Sequence, residues 1–434
     1  MNKSLVIIAP YRTRSGYGTH SRQILTAIFN TPEIVENYNI KLVSTKWGST
    51  PLTALEGDNP MHQLWLKHEV NQISEQPDVS IQISIPSEFQ RLGKRSIGIT
   101  AGTEVTIAPL SFVQGSENVD LILVPSQFTK DVLVGTKYDK KNPQGQIEHT
   151  LQVTKPVEVL FEGLDTNIFN KDNYLKDSPI VQQINEIKES FCFLVTGTWL
   201  SGELGQDRKD IGMTVKLFLD TFKNKKNRPA LVLKVNGAGF SYPERDQIIV
   251  KINDIQEIIR HEGFTGKFPN IYLINGDLSD NEMNTLYNHP KIKALVSLTK
   301  GEGYGLPLLE FTTTGKPVIA SGYSGHLDFL NRDYSVLLPG QLTQIHPSAA
   351  NEWLPKEGQW FTVNYSYASQ VLVDVFENYE KHLERSRKHP KYTKDNFSLT
   401  KMQERFLEIW NKNVILVENE PKRFELKLPS LKKV

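Results

Sequence analysis

The feature that most limits the architecture is an alternation. Short runs rich in Val, Ile and Leu recur along the chain, separated by segments whose apolar residues return at helical spacing. That rhythm belongs to parallel sheets covered by helices, because a parallel connection must cross a sheet face and a helix does so while burying its apolar side. The runs fall into two sets. Residues 5–9, 40–44, 79–83, 96–99, 121–124 and 157–160 make the first, and 191–196, 230–235, 271–274, 294–298 and 317–320 make the second. Two α/β units are therefore expected, facing across a cleft at the carboxyl ends of their strands, where ligands of such sheets bind.

The polar stretch 167–178, followed by Pro179, reads as the linker and places the boundary near 170–185. After Pro339 the strand runs thin out, and 367–383 and 398–410 read as amphipathic helices, the second capped by Ser398. The Lys-rich, Pro-broken end, 421–434, reads as a loosely held tail. The expected organisation is 1–175 as a first domain, 186–365 as a second, 366–412 as C-terminal helices and 413–434 as the tail.

At 434 residues the chain is long enough for two cores. Lys+Arg 50 against Asp+Glu 49 leaves a net charge of +1, so nucleic acid or an anionic membrane would need a local patch to bind. The single cysteine, Cys192, stands in an apolar run, which excludes an intrachain disulfide and a multi-cysteine zinc site. Residues 5–10 form the only apolar stretch near the N-terminus, far below the roughly 20 residues of a membrane span. A cytoplasmic protein without a transmembrane segment is expected. His20, His62 and His68 lack zinc-ligand spacing, so no metal is expected, and Gly315-Lys316 runs into Pro317 where a P-loop needs Ser or Thr.

The richest passage is Ser297-Leu298-Thr299-Lys300-Gly301-Glu302-Gly303-Tyr304-Gly305-Leu306-Pro307-Leu308-Leu309-Glu310, a strand end, a Gly-rich loop and a helix start. Pro307 suits a first helical turn, and the amides of Gly303, Tyr304, Gly305 and Leu306 would point into the cleft as an anion cradle. Glu302 and Glu310 flank that cradle. Carboxylates accept from paired hydroxyls, so the pair could hold a sugar and a ribose on either side of a diphosphate, each buried charge-assisted bond contributing about 1.5–3 kcal/mol. Asp207-Arg208-Lys209-Asp210 precedes a helix marked by Ile211, Val215, Phe218 and Phe222. Two cations at a helix N-terminus oppose its dipole, and an anion would compensate them. Gly16 and Gly18 open another helix and let backbone approach a ligand closely, although Ser21 takes the place of a third Rossmann glycine. Glu104 follows the small residues that end the 96–99 strand, on the cleft wall.

Glu302-x7-Glu310, with Gly-Tyr-Gly-Leu-Pro inside it and Thr314-Gly315-Lys316-Pro317-Val318-Ile319-Ala320 and Ser324-Gly325-His326 after it, resembles the donor site of retaining GT-B glycosyltransferases of family 4, the glycosyl transferases group 1. The likeness is dense from about 190 to 330. It implies an α/β fold of two Rossmann-like parallel-sheet domains facing across a cleft, with C-terminal helices packing back on the N-terminal domain. It also implies a metal-independent hexosyl- or pentosyltransferase that needs no cofactor beyond its nucleotide diphosphate sugar substrate. On that resemblance the first domain takes the acceptor and the second the donor. Glu302 contacts the donor sugar, Glu310 the ribose hydroxyls, and Arg208 and Lys209 the donor phosphates. Gly16, Gly18, Asp277 and Leu278 fall in donor-side loops, and Glu104 becomes an acceptor contact or base. The acceptor stays open among glycan, lipid-linked, protein and modified nucleic acid. Two alternatives stand beside this reading. One is a catalytically silent nucleotide-sugar-binding protein of the same fold, and the other a transferase acting on a modified DNA base through a groove using Arg12, Arg14, Arg91, Lys94 and Arg95.

Overall fold

The computed structural model describes residues 2–199, 202–237, 239 and 241–415, so most of the expected tail lies outside the described residues. The first sheet has six parallel strands in the order Tyr38–Ser44, Lys3–Ala9, Val79–Ile83, Arg95–Ile99, Leu121–Val124, Val157–Val159. The second has six more, in the order Ile271–Leu273, Ala230–Asn236, Cys192–Thr198, Ile292–Ser297, Val318–Ser321, Val336–Leu338. Helices cover both faces of such sheets, which is why Val79–Ile83 and Leu121–Val124 are buried at every position rather than at alternate ones.

In the second sheet the strand order reverses between Cys192–Thr198 and Ile292–Ser297. Connections leave in opposite directions from that point and open a crevice at the strands' carboxyl ends. The loops that emerge there carry Arg208 and Lys209 on one side and Glu302 on the other. In the first sheet the reversal lies between Lys3–Ala9 and Val79–Ile83, whose following loops carry Arg14 and Glu88.

The stretch read as a linker is tied to the second domain. Phe169, Ile180 and Ile184 join the core around Leu286 and Tyr287, and Asn284 Nδ2 donates to the carbonyls of Asn170 (2.9 Å) and Asn173 (2.8 Å). The helix Leu399–Trp410 is capped by Ser398, whose Oγ accepts from Lys401 N–H. It returns to the first domain, where Met402, Phe406, Ile409 and Trp410 pack with Ile24, Leu25 and Ile28 of the helix Gly16–Phe29. Each such large buried side chain contributes about 1.5–3 kcal/mol, enough for this helix to strap the domains together.

Three features depart from the sequence reading. The continuous helix expected over 367–383 is broken at Asn378 (φ −116°, ψ 38°) into Tyr365–Glu377 and Tyr379–Ser386. Past Pro339 the chain still forms strands: Gly340–Gln344 pairs antiparallel with Gln359–Val363. A second hairpin joins Tyr138–Lys141 to Ile147–Leu151. Gly340–Gln344 and Tyr138–Lys141 carry mostly exposed polar side chains, so no apolar alternation marks them, whereas Gln359–Val363 buries Trp360, Phe361 and Val363. No helix among the described residues is long and apolar enough to cross a membrane.

Candidate functional site

The strand Ile292–Ser297 delivers the chain to the cleft, and the helix Leu306–Thr312 takes it away with Pro307 as its second residue. Between them Gly305 turns the backbone at φ +100°, a conformation that favours glycine. Tyr304 is buried against Phe329, ring centroids 5.0 Å apart. Ser324 Oγ accepts from Glu302 N–H (2.9 Å), and Glu302 O accepts from Gly325 N–H (3.0 Å). Among the described residues the amides of Gly303, Tyr304 and Gly305 have no hydrogen-bond acceptor. The loop presses on the first domain: Ser126 Oγ donates to Gly303 O (2.6 Å), and a Cβ at Gly303 would lie 2.0 Å from Ala101 O. Only a glycine fits that approach.

The buried Glu302 carboxylate lies between two cations, Lys209 Nζ at 2.5 Å and Arg208 Nη1 at 3.4 Å. Burial alone would raise its pKa, but Lys209 and Arg208 outweigh burial and hold it down at about 2. Arg208 also donates to Gly301 O (2.8 Å) and lies 3.5 Å from Glu104 across the cleft. Asp207 compensates the helix end that follows, because its Oδ1 accepts from Ile211 N–H.

Beneath this cluster Asp210 adopts a left-handed conformation at φ 53°. Its carboxylate accepts from Tyr365 OH (2.6 Å) and pairs with Lys300 Nζ (3.3 Å), both ends of the ion pair almost fully buried. Arg208 O accepts from Lys300 N–H (2.8 Å), so the ion pair and a backbone bond brace the 207–210 turn against the 299–302 loop. Burial pushes Asp210 up to about 7.

Glu310 has a different setting. The helix Asp280–Asn288 begins with a capping box between Ser279 and Glu282, and it carries Tyr287 to where its OH donates to Glu310 Oε2 (3.0 Å). Burial raises the Glu310 carboxyl well above the usual range. Together with Arg14, Arg22 and Leu306 it lines a cavity of about 280 Å³ between the domains. A second cavity, about 480 Å³, is lined by Arg208, Glu104, Tyr17, Trp47 and Trp353. Glu162 is buried between the flanks, and burial with the nearby Glu302 charge raises it to about 8.

The other sequence candidates take distinct places. Gly16 is exposed at its helix start, and an added Cβ would meet open space. Gly18 is buried; its amide donates to Ser15 Oγ, and a Cβ would meet Thr13 O at 2.2 Å, so it closes the turn. Asp277 reaches Arg14 of the first domain at 3.5 Å, while Leu278 packs into the second core. The five basic residues considered for a nucleic-acid groove do not converge. Arg12 and Arg14 follow the carboxyl end of Lys3–Ala9, whereas Arg91, Lys94 and Arg95 lie at the amino end of Arg95–Ile99 in the same parallel sheet. Four of them are paired, with Glu69, Asp277, Asp120 and Asp78. Among the described residues no three His, Cys, Asp or Glu side chains are grouped to hold a metal ion.

Sequence reasoning left Lys300, Asp210 and Tyr365 without a role, although the first two stand inside the two passages it singled out. The aromatic wall of Tyr17, Trp47 and Trp353 had no local signal, because its members are far apart in the chain and meet only in the fold.

No family model matches the sequence, and no curated protein matches it. Solved structures do match the fold. Sucrose-phosphate synthase from Thermosynechococcus elongatus superposes with a TM-score of 0.58 at 10% identity, covering 96% of this chain and 100% of that one. A glycosyltransferase from Rickettsia africae gives 0.57 at 14%, covering 96% and 99%. HepE from Anabaena, in complex with UDP and glucose, gives 0.54 at 11%, covering 95% and 100%. The chain thus has the GT-B fold: two facing Rossmann-like domains, with C-terminal helices returning to the first.

Proposed function

We propose that the chain is a retaining glycosyltransferase of the family 4 type. In this reading 1–175 hold the acceptor, 186–365 the nucleoside diphosphate sugar, and 366–412 cross back between them. The observation that carries it is the convergence, at the reversal point of the second sheet, of Arg208, Lys209 and Glu302 with a loop whose 303–305 amides are unpaired and whose far flank is Glu310.

The donor diphosphate would draw Arg208 and Lys209 from Glu302 and lie against the loop amides. Glu302, already ionised before the donor arrives, is then free to accept from the sugar hydroxyls, and Glu310 from the ribose diol. In the reaction the bond from the anomeric carbon to the diphosphate oxygen breaks as the acceptor oxygen bonds the same face. The acceptor's proton passes to the departing phosphate oxygen. Charge grows on that oxygen, where fixed amides and cations stabilise it without reorganising. Glu104 orients the acceptor, while its contact with Arg208 couples the two sides.

HepE, which holds UDP and glucose, makes UDP-glucose the first donor to try. A thermal-shift panel of nucleoside diphosphates and their sugars should raise the melting temperature for at least one nucleotide, since a ligand bound only by the native state stabilises it. Product analysis of the matching donor sugar then separates transfer from silent binding. A panel without any shift would end the donor-site reading.

A further inference from the structure

The 480 Å³ cavity is built unlike its neighbour. Tyr17 and Trp47 stack with ring centroids 3.9 Å apart, and Phe112 and Trp353 lie 5.8 Å apart. Tyr17 is pinned, since its OH shares a hydrogen bond with Thr100 Oγ1 (2.9 Å) and accepts from Ala101 N–H (3.1 Å). Trp353 comes from the second domain, on the loop between Gly340–Gln344 and Gln359–Val363, and is 39% exposed. That loop is anchored on the first domain. Val105 packs with Ile345, Ala349, Leu354 and Trp360, and Thr106 N–H donates to Gln359 O (2.9 Å) while its Oγ1 accepts from Gln359 N–H (2.8 Å). Aromatic faces from both domains therefore line one space.

Its polar groups define what that space takes. Glu88 and Glu104 are acceptors, Lys46 is a donor, and Arg208 is already shared between Glu104 and Glu302. Two carboxylates repel a phosphate backbone, and nucleic acid draws its affinity from unpaired cations; of the two cations on this wall Arg208 is shared with Glu104 and Glu302, which leaves Lys46 against two carboxylates. A neutral pyranose satisfies both features, offering apolar C–H faces to indole rings and hydroxyl donors to carboxylates. The volume lies within the roughly 300–1,000 Å³ of sites that hold small ligands.

Resting on the glycosyltransferase reading, we propose that this cavity is the acceptor site and that the acceptor is a neutral glycan. Its terminal ring packs against Trp47 and Trp353 and its hydroxyls bond Glu88 and Glu104. The donor-side cavity also has aromatic residues, His62, Trp65 and Phe169, but sets Arg14, Arg22 and Glu310 beside them, which gives the two sides different chemistry.

Saturation-transfer NMR on the full chain tests this without nucleotide, using maltose, cellobiose and lactose, with a single-stranded oligonucleotide containing 5-hydroxymethylcytosine as the competing class. At least one disaccharide should receive saturation, at least about fivefold less in Trp353→Ala and in Trp47→Ala. Nucleoside diphosphate affinity measured on the same samples should stay within about twofold, which reports that each variant is folded. No saturation of any disaccharide, an unchanged signal in both variants, or saturation of the oligonucleotide alone overturns the proposal. Failure of every nucleotide to bind the wild type would instead remove the donor reading, because the sugar signal is recorded without nucleotide.

Discussion

Glu302 and Glu310 stand on one loop and helix, eight residues apart, and both lie deep in the same cleft, yet their protons are held in opposite ways. Removal from water raises both carboxyls. At Glu302 two cations from the neighbouring loop reverse the effect, and at Glu310 a single tyrosine hydroxyl does not. The cation-held flank is thus kept ionised, whereas burial favours the proton on the other. On the reading proposed above, the fixed cations serve where charge is to be stabilised as a bond breaks, and the hydrogen-bonded carboxyl where a diol is to be recognised.

Removing the brace under the charged flank should have the largest effect. Lys300→Met leaves Asp210 buried without its cation and should lower stability by about 3–5 kcal/mol, read as denaturant midpoint, with Tyr365→Phe costing about 1 kcal/mol. Equal stability of Lys300→Met and wild type would show that the ion pair does not brace the flank. Next, Lys209→Ala should slow single-turnover transfer about 10²–10³-fold, more than Glu104→Gln; the reverse ranking would move the chemistry to the acceptor side. On the other flank, Glu310→Ala should weaken nucleotide binding by about 1.5–3 kcal/mol in calorimetric titration, while Glu302→Ala reduces turnover more than affinity for the bare nucleoside diphosphate. Matching profiles for the two variants would erase the contrast between the carboxylates.

A further effect is a slope with pH. Glu162 titrates at about 8 in the folded chain, against a usual value of 4.5. Between those values the unfolded chain has released a proton that the folded one retains, so stability falls as pH rises, by up to about 1.4 kcal/mol per unit, and levels above about 8. Glu162→Gln should remove that component. Glu302 contributes in the other direction: its pKa of about 2 means stability present above 4.5 that is lost as pH falls toward 2. Chemical denaturation across pH on wild type, Glu162→Gln and Glu302→Gln separates the two, and parallel curves for all three would refute the assigned environments.

Much of the fold was legible because parallel strands buried on both faces must be apolar throughout, and runs such as 79–83 and 121–124 coincide with strands of the first sheet. The loop from Ser297 to Glu310 was legible for a similar reason, since a positive φ at Gly305 and a proline in the first turn are demanded locally. The hairpin from Gly340 left no apolar alternation on its first strand, which is exposed and polar; its partner Gln359–Val363 buries Trp360, Phe361 and Val363 through contacts with residues distant in the chain. The break at Asn378 also left no apolar gap in the pattern.

By itself the sequence determined the two α/β domains and the order of the passages that face the cleft, because periodicity and turn chemistry act between near neighbours. Only the tertiary structure decided which charges meet. Arg208 and Lys209 bond Glu302, more than 90 residues away, and Trp353 comes to lie beside Phe112 from the opposite domain. A carboxyl's proton affinity and a pocket's aromatic wall depend on distances in space, and those are set when the domains pack.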